Sequence, residues 1–208
     1  MKLTIKVEQD TDPMNPRTEW DNLGTMVCFH NKYILGDEDH DYKLFKLHFE
    51  MRAIRGGDYS VWDMLERRLV SDGAAVILPL YLYDHGGITM SCGSFPCGWD
   101  SGQVGFIFIS KEKARKEYGW KRLTKKRLEK LETYLRGEVE TYDQYLTGDV
   151  WGYIIEDEDG EHVDSCWGYF GEEAAREEAE AQKKWFEEDE RAQELARSRI
   201  QIPCGCVA

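Results

Sequence analysis

The sequence is poor in positive charge, in long apolar runs and in any regular cysteine pattern. Its 27 basic residues stand against 40 acidic ones, a formal net charge of −13. A surface of that sign repels phosphates, which argues against broad binding to nucleic acid or to anionic membranes. No apolar run reaches the roughly 18 residues that a membrane span needs, and no cationic stretch followed by an apolar one opens the chain. The expectation is therefore a cytoplasmic protein with no membrane partner. Six cysteines at irregular spacing in 208 residues fit reduced thiols better than a disulfide framework.

Aromatic residues, by contrast, are plentiful. Seven Trp, eleven Tyr and eight Phe predict an aromatic-rich core with rings left over for a surface. Charge is unevenly spread. Residues 1–110 carry 10 basic and 16 acidic side chains, residues 111–147 carry 11 and 7, and residues 148–208 carry 6 and 17. One basic stretch thus lies between two acidic ones, which suggests internal pairing or a partner with a basic face.

The chain is organised around Ala74 to Ser110, where two apolar runs, AAVILPLYLYD and FIFIS, flank a loop dense in glycine. Both runs read as buried strands. Before them, alternation from Met1 to Glu8 predicts a half-buried strand, and Gln9 to Thr18 a loop. A turn then feeds a short strand near Val27. Asn31 to Tyr42 packs carboxylates and His40 around Gly36, but without the offsets of a calcium loop, so a solvated loop is preferred over a metal site. Lys43 to Ile54 reads as strand or helix, closed by Gly56, Gly57 and Asp58. Ser60 to Ser71 has helical apolar spacing with Ser60 as cap.

After the central stretch, Ser110 caps a short helix ended by Gly119, and Thr124 caps a longer one that runs to Gly148. Gly137 lies within it, at a cost of about 1 kcal/mol relative to Ala, and invites a kink. Lys121, Arg122, Lys125, Lys126, Arg127 and Lys130 crowd its start, where the helix dipole disfavours cations. Two apolar segments around Ile154 and Val163, joined by Asp157-Glu158-Asp159-Gly160, predict a hairpin. Trp151, Tyr153, Trp167 and Tyr169 recur along it at period two and predict one aromatic face. Gly171 to Arg199 predicts a long acidic helix with a thin apolar stripe, followed by a short coil with Cys204 and Cys206.

Three chemistries compete for the side chains. His85, Cys97 and Asp100 hold the ingredients of a thiol nucleophile with its base and orienting acid. The competing reading is a structural or binding loop, in which Asp84, Asp100 and Ser101 cap turns. Cys92, Cys97, Cys204 and Cys206, or Cys28 with His30, would suit a zinc site only if the fold gathers them, and free thiols are preferred. The basic stretch with Tyr118 and Trp120 has the makings of a nucleic-acid surface. Net charge argues the other way, so direct binding of nucleic acid is not expected, and neither is a cofactor or metal.

The segments EWDNLGTMVCFHNKYILGDE, YLYDHGGITM, CGWDSGQVGFIF and GEVETYDQYLTGDVWGYIIE resemble a family of uncharacterised proteins carried by bacteriophages and other mobile elements. The resemblance runs from about Pro13 to Phe170. By context alone it implies an accessory protein, located in the host cytoplasm, that disarms a host defence of the anti-CRISPR or antirestriction type.

Taken together, the expected fold is α+β: a mostly antiparallel sheet with helices on one side, as a core domain over residues 1–170, then an acidic helix and coil over 171–208. The expected function is binding, more than catalysis. Glu172, Glu173, Glu177, Glu178, Glu180, Glu187, Glu188, Asp189 and Glu190 would meet a host protein or protein–nucleic-acid complex with a basic surface, as a nucleic-acid mimic does. Trp99 and Gln103 of the central loop would assist. The alternative is a small enzyme using His85, Cys97 and Asp100.

Overall fold

The computed structural model describes residues 2–37 and 60–200. The expectations for His40, for 43–54 with its terminator at 56–58, and for the coil with Cys204 and Cys206 lie outside the described residues. In chain order the elements are β1 Thr4–Gln9, α1 Pro16–Glu19, β2 Thr25–Cys28, α2 Val61–Ser71, β3 Ala74–Asp84, β4 Ile88–Ser91, β5 Ser101–Ser110, α3 Lys111–Tyr118, α4 Lys125–Thr147, β6 Val150–Glu156, β7 His162–Phe170 and α5 Glu172–Ile200. The protein is α+β with antiparallel sheets and a long C-terminal helix.

The strands form two sheets, and the chain divides into two compact units. A central unit spans Met14–Thr147, and a terminal unit joins Met1–Pro13 to Gly148–Ala208. That division differs from a boundary at residue 170, because β1 pairs with β6 from Thr4↔Glu156 to Gln9↔Trp151 and binds the first strand to the last third of the chain.

In the central unit the strand order is β2-β5-β3-β4. β5 lies inside this sheet, and both of its faces are covered, which is why VGFIFI reads as an unbroken apolar run. Ile107 and Ile109 face α4, whose buried Leu131, Leu135, Val139 and Tyr142 recur at helical spacing. Phe106 and Phe108 face the other way, against Leu65 and Leu69 of α2. Helices therefore cover both faces of this sheet, where the sequence predicts one; the continuous apolar run of β5 is the reason.

Local chemistry sets the helix ends. Ser60 and Asp63 form a reciprocal capping box, with Asp63 N donating to Ser60 Oγ at 3.1 Å and Ser60 N to Asp63 Oδ2 at 2.9 Å. The Ser60 hydroxyl, which also donates to Asp63 Oδ2 at 2.8 Å, and then the Ser60 N–H hold the Asp63 carboxyl below its usual range. Gly119 ends α3 in the left-handed region at φ 63°, where a side chain would be strained. Gly137 neither breaks nor ends α4.

In the terminal unit the order is β1-β6-β7, and α5 packs on this sheet. Ala175 and Ala179 are fully buried, and the small side chain of Ala179 lets the helix approach Leu3, Tyr153 and Ile155 closely. The hairpin turns at Asp157–Gly160, with Asp157 N donating to Glu161 O at 3.0 Å. The expected single aromatic face is split. Tyr153 and Tyr169 meet at 5.9 Å, whereas Trp167 pairs with Gly152 and so lies on the opposite face. A register shift between Trp151 and Gly152, with Gly168 at φ 86°, changes the side on which the later residues fall.

Candidate functional site

Two surfaces hold the residues singled out by sequence. The first is the far side of α5. With Ala175, Ala179 and Phe186 against the sheet, Glu173, Glu177 and Glu180 fall at i, i+4 and i+7 on the opposite side of the helix. All three are exposed and have no ionic or hydrogen-bonding partner among the described residues. Other carboxylates of α5 are engaged along the helix. Glu172 pairs with Arg176 at 2.6 Å, Glu187 with Arg191 and Glu188 with Lys184 at 3.9 Å, Glu178 accepts from Gln182 at 3.3 Å, and Asp189 from Gln193 at 2.7 Å. Glu190 is half-buried. Such exposed i, i+4 pairs contribute only a few tenths of a kcal/mol, about 0.3–0.5.

The second is the end of the central sheet where β3, β4 and β5 turn. Asp84 N donates to Asp100 O at 2.8 Å, so the two aspartates stand side by side. His85 Nδ1 lies 3.2 Å from Asp100 Oδ2. A carboxylate on Nδ1 fixes the ring and leaves Nε2 for a bound molecule. The pair is open to water, with side-chain exposures of 71% and 42%, so screening weakens it. Tyr83 stacks on His85 at 6.0 Å and contacts Phe95 at 5.7 Å.

Cys97 enters this arrangement through its backbone: its carbonyl accepts a short hydrogen bond from Ser101 Oγ, and its thiol has no hydrogen bond among the described residues. The structure therefore brings two of the three proposed catalytic groups together and shows no bond from the third to either. Beside them is a cleft of about 560 Å³, walled by Phe29, Trp62, Trp99, Asp84, Asp100 and Gln103. Trp99 is 96% exposed. Gln103 Nε2 donates to Gly105 O at 3.3 Å.

Sequence reasoning missed what approaches Asp84 from the β2 side. Tyr33 Oη donates to Asp84 Oδ1 at 3.2 Å and Lys32 Nζ to Oδ2 at 3.4 Å, while His30 stacks on Tyr33 at 5.1 Å. The lysine pKa is raised, first by its contact with Tyr33 and then by Asp84. No local pattern links these residues, because a turn after β2 carries them to the site. Cys28, two residues before His30, is deep in the core, and burial pushes its thiol up to about 12. Among the described residues, no three of His, Cys, Asp and Glu gather in a way that would hold a metal, and no described helix is long and apolar enough to cross a membrane.

No protein-family model, curated protein or solved structure matches this chain.

Proposed function

We propose that the protein is a binding protein that docks through α5 on a positively charged macromolecular surface, and that it serves as a phage-type inhibitor of a host defence complex. The observation that carries this reading is the row Glu173, Glu177 and Glu180, unpaired among the described residues and directed away from the helix's own sheet. On an α-helix these positions lie about 6 and 4.5 Å apart along the axis, a regular file of negative charge. The terminal unit concentrates the charge further: it holds 8 basic and 20 acidic residues, against 19 and 20 in the central unit. Such a field raises the association rate with a basic partner and weakens with salt.

The experiment is co-purification from host cells under a defence challenge, comparing the parent with the triple variant Glu173→Lys, Glu177→Lys, Glu180→Lys. Loss of a salt-sensitive complex with an unchanged Tm is expected. A triple variant that retains the same complex at the same salt overturns the reading.

One observation favours a second reading, catalysis: His85 and Asp100 meet at 3.2 Å beside the cleft. It predicts that His85→Ala and Asp100→Asn each abolish an esterase or amidase activity of the parent without lowering its Tm. A parent inactive against such substrates sinks it.

A further inference from the structure

We propose that the central unit binds single-stranded nucleic acid on the basic and aromatic face formed by α3, the start of α4 and the groove beside Gly137. The inference is independent of the role given to α5. The argument from net charge against nucleic acid does not apply to this unit, because its 19 basic and 20 acidic residues nearly balance.

The cations come first. Lys121, Arg122 and Lys126 are exposed and have no carboxylate partner among the described residues, and Lys125, 92% exposed, reaches Glu129 only at 3.9 Å. Positive charge at the start of a long helix opposes its own dipole and destabilises the free protein. A bound polyanion removes that opposition, since both the side chains and the free N–H groups of the first turn then face negative charge.

Rings are set among these cations. Tyr118 and Trp120 stack at 4.3 Å with their planes 14° apart, Arg127 lies 4.9 Å over Trp120, and Lys130 lies 5.3 Å from Tyr118 and 5.6 Å from Tyr134. An acidic protein partner would need only the cations. Unpaired bases use both groups: Tyr118 and Trp120 cover one another and pack against the core, so the half-exposed ring of Tyr134 is the one on which a base stacks, while the phosphates meet lysine and arginine.

The face continues into a groove of about 560 Å³ between Trp20 and Tyr134, which are 45% and 48% exposed. Gly137 lines it, and a Cβ built there meets nothing within 4 Å. Glycine within an exposed helix is unfavourable, and no packing among the described residues requires it at this position. Its effect is to keep the groove deep enough for a flat ring to enter between the two aromatics. Glu138, also in the lining, does not repel the ligand, because its carboxylate is engaged by Arg17 at 2.9 Å and by the N–H groups of Leu23 and Gly24. Asn22 donates to Pro16 O and Trp20 O, which turns its amide nitrogen inward and leaves its oxygen to accept from a base edge.

The test is fluorescence anisotropy of a labelled twelve-residue oligo(dT) with the full chain at low salt. The expected result is binding, stronger than to a duplex of the same length, that weakens with salt at a slope of roughly −2 to −3 for three to four phosphates engaged. Lys126→Glu with Lys130→Glu should abolish it. Tyr134→Ala should weaken it roughly 5- to 100-fold. Gly137→Leu, whose side chain enters open space, should weaken it likewise with the Tm unchanged or raised. The proposal is overturned if the oligonucleotide does not bind, if the duplex binds equally well, or if Gly137→Leu binds as the parent does. Displacement by poly-glutamate at equal charge would also overturn it and would identify an acidic protein as the partner.

Discussion

Arg17 and Glu138, 121 positions apart in the chain, meet at 2.9 Å in the central unit. The arginine side chain is 1% exposed, and it also donates to Asp37 at 2.6 Å and to the carbonyl of Gly24 at 3.0 Å. Asp37 accepts from Met26 N at 2.9 Å, so one cation ties α1, β2, the turn after it and α4 together. Removing the arginine leaves two carboxylates without their counter-charge. Arg17→Ala should cost about 3–5 kcal/mol of stability, read as a lower urea midpoint. Arg17→Lys should recover only part of it, because a single ammonium cannot hold three acceptors in a fixed plane.

Two glycines in the same unit should respond oppositely to alanine. A Cβ on Gly105 would sit 1.9 Å from the Val27 carbonyl oxygen and 2.9 Å from Cys28 Cα, both backbone atoms of the paired strand β2. Gly105→Ala must push β2 away from β5, and a loss of roughly 3 kcal/mol or more is expected. Gly137→Ala meets nothing, and should gain about 1 kcal/mol. Thermal melts of both variants check the pair.

Stability should fall on the alkaline side. Burial raises Cys28 from 9.0, and Tyr142 and Tyr153 from 10.0, each to about 12. Each fold therefore holds a proton that the unfolded chain releases earlier. The contribution is complete below the ordinary value and is lost as pH rises through the folded one. Urea midpoints should be level near pH 8 and decline between about pH 9 and pH 12. A midpoint that rises over that window contradicts the assignment.

Thiol labelling should separate the cysteines by depth. Cys166 is exposed and Cys28 buried. Iodoacetamide on the native protein, followed by peptide mass mapping, should modify Cys166 and leave Cys28 free until denaturant is added. Labelling of native Cys28 at the rate of Cys166 would contradict the core described for β2.

Much of the local structure was legible from sequence because its causes are local. Ser60, Ser110 and Gly119 mark helix ends by their own side-chain or backbone chemistry, and the Asp-Gly turn after Glu156 announces a hairpin. Even the missed α1 had a signal, since Asn15 accepts from Arg17 N at 2.9 Å and Pro16 follows it. What sequence did not reveal depends on distance. His85 and Asp100 are both visible as candidates in the sequence, but their meeting is a product of strand register. The approach of Lys32 and Tyr33 to Asp84, and the burial of Arg17, arise only when β2 returns against β5. The splitting of the aromatic face follows from one extra residue in β7, which period-two reading cannot anticipate.

The pairing of β1 with β6 also bears on how this protein is made. As the chain leaves the ribosome, β1 emerges before the central unit, and its pairing with β6, its neighbour among the described residues, can form only once Trp151 has been synthesised. The central unit, contiguous from Met14 to Thr147, has its whole sequence available before then. Assembly is therefore ordered by the gene itself: the inserted body can close first, and the acidic helix acquires its platform last.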